Sequence, residues 1–162
     1  MLGRSWGVLK QGPFSPLLSQ ERFYTKPCEN PDDFHLARIY LLLKPDSSSA
    51  DEEGEGKGEV FETCAEALEE VRRVFALPRA LKRQAMVSVH VWPGTVSQRF
   101  IELVHERRTE ALVILAHYCV LLKKVNSCWW LEGVGCRLLT AIERELGVEW
   151  RPWIEWALAY PV

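Results

Sequence analysis

The chain has 162 residues, 48% of them hydrophobic and 26% charged, and a formal net charge of -2. That balance suits one ordinary soluble globular domain, large enough to bury roughly two thirds of its unfolded surface. It excludes the basic field that draws a domain onto nucleic acid, and no polybasic block suits a membrane surface.

In chain order, residues 1 to 30 mix Gly, Pro and Ser with scattered apolar residues and predict at most short helical pieces. The opening Met-Leu-Gly-Arg-Ser-Trp-Gly lacks the continuous apolar stretch of a signal peptide. From Asn30 a helix is expected, with Asn30 as cap, Pro31 in its first position and Asp32 and Asp33 at the positive end of its dipole, running to about Leu43. Pro45 to Gly58 is Ser-rich, Gly-rich and acidic, and predicts a mobile surface loop. Phe61, Cys64, Leu68, Val71 and Phe75 then recur at steps of three and four, an amphipathic helix ending at Pro78 with Glu69 placed to pair with Arg73. Residues 79 to 92 begin basic and turn β-branched, which suggests a helix fraying into an extended connection. Thr95 and Gln98 match a capping box for a helix that puts Val96, Phe100, Leu103 and Val104 on one face and ends near Arg107 and Arg108.

The run from Ala111 to Leu122, interrupted only by His117, is apolar on every face, so the helix it forms must lie inside the molecule. At 1.5 Å per residue it rises only about 18 Å, too short to span a bilayer. Thr109 is the expected N-cap, and Lys123 and Lys124 suit the negative end of the dipole. After Ser127, Trp129-Trp130-Leu131 opens a helix with Leu131, Val134, Leu138, Ile142 and Leu146 along one side and Gly147 as its stop. Trp150, Trp153 and Trp156 follow at steps of three, with Pro152 in the first turn of a last short helix. No strand pair or hairpin signal occurs. The fold class is therefore all-α, an irregular helical bundle around one central apolar helix, read as a single domain over residues 1 to 162.

Few residues combine into chemistry. The five cysteines, Cys28, Cys64, Cys119, Cys128 and Cys136, are odd in number and widely spaced, with no Cys-x-x-Cys pair and no Cys/His cluster at zinc spacing. They read as reduced thiols in an intracellular compartment, and no metal or cofactor is expected. Glu102 and His105 have the spacing found in di-iron bundles but no second copy, so they read as a solvated helix face. The basic doublets Arg72-Arg73, Arg107-Arg108 and Lys123-Lys124 fall on different elements and also read as solvated faces. No convergent polar site for catalysis is visible, and the chain reads as a non-enzyme.

Binding has better support. Of seven Trp, five lie at or beyond Trp129. They form either a large-aromatic core with some exposure for a partner or the walls of a cavity for a flat apolar ligand. Gly133 and Gly135, read as helix interior, suggest a place where a backbone or ligand comes close. His117 is either a core histidine satisfied by a backbone carbonyl or neighbouring side chain, or a polar contact to a buried ligand. The pocket is expected between the 111 to 122 helix and the 129 to 146 helix, closed by the terminal Trp segment. Trp129, Trp130 and Trp153 would be its walls, Gly133 its space, and His117 or Tyr118 its polar contact.

Val91-Trp-Pro-Gly94, Arg107-Arg-Thr-Glu-Ala-Leu-Val-Ile-Leu-Ala-His-Tyr118, Trp129-Trp-Leu-Glu-Gly133 and Trp153-Ile-Glu-Trp156 occur in that order. The ordered set resembles the C-terminal regulatory region of fungal binuclear zinc cluster transcription factors, and within them the sterol uptake control protein group, over about residues 60 to 157. The resemblance implies a helical regulatory domain that responds to a ligand, a sterol or other apolar small molecule. It also implies a nuclear and cytoplasmic location, with a homodimer or co-regulator protein as partner. The family's DNA-binding cysteine cluster and basic linker are missing, which implies an isolated or truncated C-terminal portion that does not bind DNA by itself. The alternative is a helical protein-interaction module without a small-molecule ligand.

Overall fold

In the computed structural model, the described residues are 32–43, 54–76 and 82–161. They form seven α-helices and no strand: α1 (Asp33–Leu43), α2 (Gly54–Phe75), α3 (Lys82–Thr95), α4 (Gln98–His105), α5 (Thr109–Lys124), α6 (Val134–Leu146) and α7 (Arg151–Ala159). A 3-10 turn, Val148–Trp150, leads into α7. The all-α bundle around a central apolar helix is what forms. Every other described helix packs on α5. Along α5, Ala111 to Ile114 and Ala116 to Lys123 are all buried. None of the described helices is long and apolar enough to cross a membrane.

The surrounding helices each turn one apolar stripe inward: Leu36, Ile39 and Leu43 on α1; Cys64, Leu68 and Val71 on α2; Phe100 and Leu103 on α4; Leu139, Ile142 and Leu146 on α6; Ile154 and Ala157 on α7. On α6 the buried row passes through Leu139, with Leu138 only half-buried. Gly147 ends α6 with φ of 79°, where a residue without Cβ is unstrained. Pro152 sits in the first turn of α7, where a missing N–H costs nothing.

Several local expectations are corrected. The proposed cap Asn30-Pro31 and most of the proposed loop lie outside the described residues, but Gly54 to Gly58 are helical. Once the amphipathic stretch of α2 is nucleated, extending it backward adds one hydrogen bond per residue fixed. The expected extended connection before Gly94 is also helical, and α3 runs through Val89 and Val91 to Thr95. Val89 and Trp92 are buried there, and tertiary burial outweighs a β-branched preference of a few tenths of a kcal/mol.

Capping residues shift as well. The N-cap of α4 is Ser97, whose Oγ accepts from the Phe100 N–H at 3.2 Å; Thr95 instead donates its hydroxyl back to the Trp92 carbonyl. Arg108, with no side-chain cap, precedes α5 in place of Thr109. Glu69 pairs with Arg72, and Arg73 with Glu70.

Two of the basic doublets are not solvated faces. Arg72 forms a two-pronged ion pair with Asp33 at 2.7 and 2.9 Å, tying α2 to α1. Burial removes Lys123 from solvent, and its Nζ donates to the carbonyls of Ala157, Leu158 and Tyr160 at 2.9, 3.4 and 2.9 Å. It thereby caps the C-terminal end of α7, where orphan carbonyls and the helix dipole both call for a cation.

Candidate functional site

The helix expected to open at Trp129 begins only at Val134. Residues 125 to 133 are successive turns. Gly133 stands just before α6 with φ of 70°, and its N–H donates to Asn126 Oδ1 at 2.7 Å. A Cβ there would meet only the far end of Arg137. Gly135 is the tight position: a Cβ would lie 2.9 Å from the Cys119 carbonyl oxygen and 3.1 Å from the Lys123 backbone nitrogen. This glycine lets α6 lie almost backbone to backbone on α5, so the space expected between these two helices is filled by the helices themselves. Trp129 and Trp130 stand on the surface, 80% and 51% exposed, and pack edge to face against each other.

Tyr118 packs against α3. Its ring stacks on Trp92 at 4.4 Å, and its hydroxyl donates to the Val89 carbonyl at 2.6 Å. Pro93, inside α3, has no N–H to give the carbonyl four residues before it, which is that of Val89. Tyr118 supplies the missing donor. Burial pushes its phenol pKa upward, so it stays a neutral donor. Trp92 in turn donates its indole N–H to the Ala67 carbonyl at 3.1 Å.

His117 and Trp153 do line a common cleft. It has a volume of about 280 Å³ and lies between α1, α5 and α7, with His35, Arg38, Glu155 and Trp156 also in its walls. His117 is 1% exposed. Its Nδ1 lies 2.8 Å from the Val113 carbonyl oxygen; a carbonyl only accepts, so Nδ1 carries the proton and Nε2 is left as an acceptor. Burial, with smaller contributions from His35 and Arg38 and against the opposing effect of the Val113 bond, holds the imidazole down to about 4. The ring is therefore neutral at physiological pH. No residue among those described partners Nε2.

Trp156 organises the site. Its indole stacks on His117 at 5.5 Å and on His35 at 4.7 Å, and contacts Phe75 and Tyr160. Arg38 places its guanidinium over the Trp153 ring at 5.0 Å, an attraction of the cation for the ring face. Arg38 and Glu155 each lack an ionic partner among the described residues.

Sequence reasoning found His117 and Trp153 and missed His35, Arg38, Glu155 and Trp156 as members of one site. The spacing of His35 and Arg38 puts both on one face of α1, but only the docking of α1 against α7 gives that face a partner. A larger cleft of about 420 Å³ lies beside α2, but its Glu69, Glu70 and Arg73 are already engaged in ion pairs or hydrogen bonds. Glu102 and His105 are exposed. No group of side chains among the described residues suits a metal ion. Cys64, Cys119 and Cys136 are free thiols.

No protein-family model matches the chain, and no solved structure matches it. The chain is similar to a fungal transcription factor. It is 34% identical over 91 residues to a Zn(2)-C6 fungal-type transcription factor of Gibberella zeae, a match covering 55% of this chain and 18% of that protein. The matched part thus spans about a fifth of the relative's length.

Proposed function

We propose that this chain is a regulatory, effector-responsive part of a fungal transcription factor and that it acts without contacting DNA itself. The observation that carries this reading is the 34% identity to the Gibberella zeae factor. The slightly negative charge and the engagement of Arg72 and Lys123 in internal contacts support the absence of a basic surface for phosphate binding. Regulation implies a nuclear site of action, and the effector site is the cleft under His117.

A sterol, the finer ligand implied by the resemblance, draws support from Nε2 of His117 as an acceptor for a hydroxyl. Against it stand the charged residues Arg38 and Glu155 and a volume of about 280 Å³, just below the roughly 300 to 1,000 Å³ of ordinary ligand pockets. A second reading, a helical protein-interaction module, is favoured by Trp129 and Trp130, whose exposure is characteristic of contact anchors. Fusing the full chain to a heterologous DNA-binding domain upstream of a reporter tests the regulatory reading: the fusion should change transcription relative to the DNA-binding domain alone. An unchanged reporter with a stably expressed, folded fusion would refute it.

A further inference from the structure

We propose that the cleft between α1, α5 and α7 binds a zwitterionic aromatic small molecule, an aromatic amino acid or close derivative, whose ring-bound O–H donates to His117 Nε2. This deepens the effector reading above, and rests on it only for the consequence of binding.

The first support is the orphan acceptor. His117 is 1% exposed, its Nδ1–H is used by Val113, and it lines the cleft. A buried polar atom that no described residue partners is uncommon in a native structure, and a bound donor would answer it. The group must be a donor, because a neutral imidazole with Nδ1 protonated only accepts at Nε2.

The second support is charge. Arg38 on α1 and Glu155 on α7 line the same cleft and pair neither with each other nor with any other described residue. Either charge alone is ordinary surface chemistry. Placed on two helices around a buried acceptor, they match a carboxylate and an ammonium carried by one molecule. Arg38 stacks over Trp153, which holds the planar guanidinium for two-pronged carboxylate recognition.

The third support is shape. Trp153 and Trp156 line the cleft, and about 280 Å³ suits one or two fused rings with a short polar chain. An apolar ligand would leave Nε2 and both charges without use. A plain anion would leave Glu155 opposed and the aromatic walls bare.

Calorimetric titration of the full chain with L-tyrosine tests this directly, alongside L-phenylalanine, tyramine and 4-hydroxyphenylpropionate. L-tyrosine should bind most tightly. Removing the ring hydroxyl should weaken binding about tenfold or more, as expected when a buried acceptor goes unpaired, and removing either terminal charge should weaken it about twofold to fivefold. Arg38→Ala and Glu155→Gln, at exposed positions, should keep the circular dichroism of the parent. Arg38→Ala should weaken L-tyrosine but not tyramine, and Glu155→Gln should weaken L-tyrosine but not 4-hydroxyphenylpropionate. Absence of binding to a folded chain at millimolar L-tyrosine would overturn the proposal, as would equal affinity for phenylalanine or indifference to both substitutions. Such a failure leaves the reporter result standing, whereas a silent reporter leaves calorimetric binding standing, so the two readings fail separately.

Discussion

Tyr118→Phe removes one oxygen and almost no volume, yet it should destabilise the protein measurably. The hydroxyl donates at 2.6 Å to the Val89 carbonyl, and Val89 is 3% exposed. With Pro93 lacking an N–H, that carbonyl loses its substitute donor and keeps no backbone one in the helix ladder. A buried carbonyl left unsatisfied costs about 1 to 3 kcal/mol, while the ring's stacking on Trp92 is retained. Pro93→Ala restores the backbone donor. In that background the same Tyr118→Phe change should cost only the net value of one hydrogen bond, about 0.5 to 1 kcal/mol. The double-mutant cycle should therefore show a coupling of about 1 kcal/mol between residues that need not touch. Urea unfolding of the four proteins, with unchanged denaturant dependence, is the assay. Equal costs of Tyr118→Phe in the two backgrounds would refute the argument that the tyrosine replaces the proline's missing donor.

Four further outcomes follow from the same structure. His117 is held down to about 4 against an ordinary 6.5, so the unfolded chain takes up its proton first as pH falls. Stability from this group is intact above about pH 6.5 and declines toward pH 4 by about 3 kcal/mol, a dependence that His117→Phe should remove from urea unfolding at pH 7 and pH 4.5. Lys123→Met should cost about 2 to 4 kcal/mol by orphaning the carbonyls that end α7; unchanged hydrogen-exchange protection in α7 would count against this role. Gly135→Ala should destabilise by about 1 to 3 kcal/mol because α6 must move off the α5 backbone, and thermal melting should show it to be worse than Gly133→Ala, where only the left-handed backbone opposes the change. Burial pushes the Cys64 and Cys119 thiols up to about 12, so mass-spectrometric mapping of alkylation in the native state should find them modified more slowly than Cys128 and Cys136.

Local pattern was enough to give the class of fold and its centre. A run that is apolar on every face has only one stable place, and α5 occupies it. The stripes on α2, α4 and α6 and the stops at Gly147 and Pro152 were legible for the same reason: period, capping chemistry and ring constraints act within a few residues. What depended on partners far along the chain was not legible. Periodicity showed Gly135 in a helix but not whether α5 or empty space lay opposite, so a point of closest helix contact read as room for a ligand. A lysine at a helix end reads as solvated, and only the arrival of the α7 carbonyls makes Lys123 an interior cap. Tyr118 had no visible partner until α3 brought the Val89 carbonyl to it. His117 was legible as a buried imidazole needing partners, but its surroundings depend on docking α1 beside α7. That docking places His35 and Arg38 opposite Trp153, Glu155 and Trp156, more than a hundred positions away, because burial energy selects which faces meet and no local pattern encodes the choice.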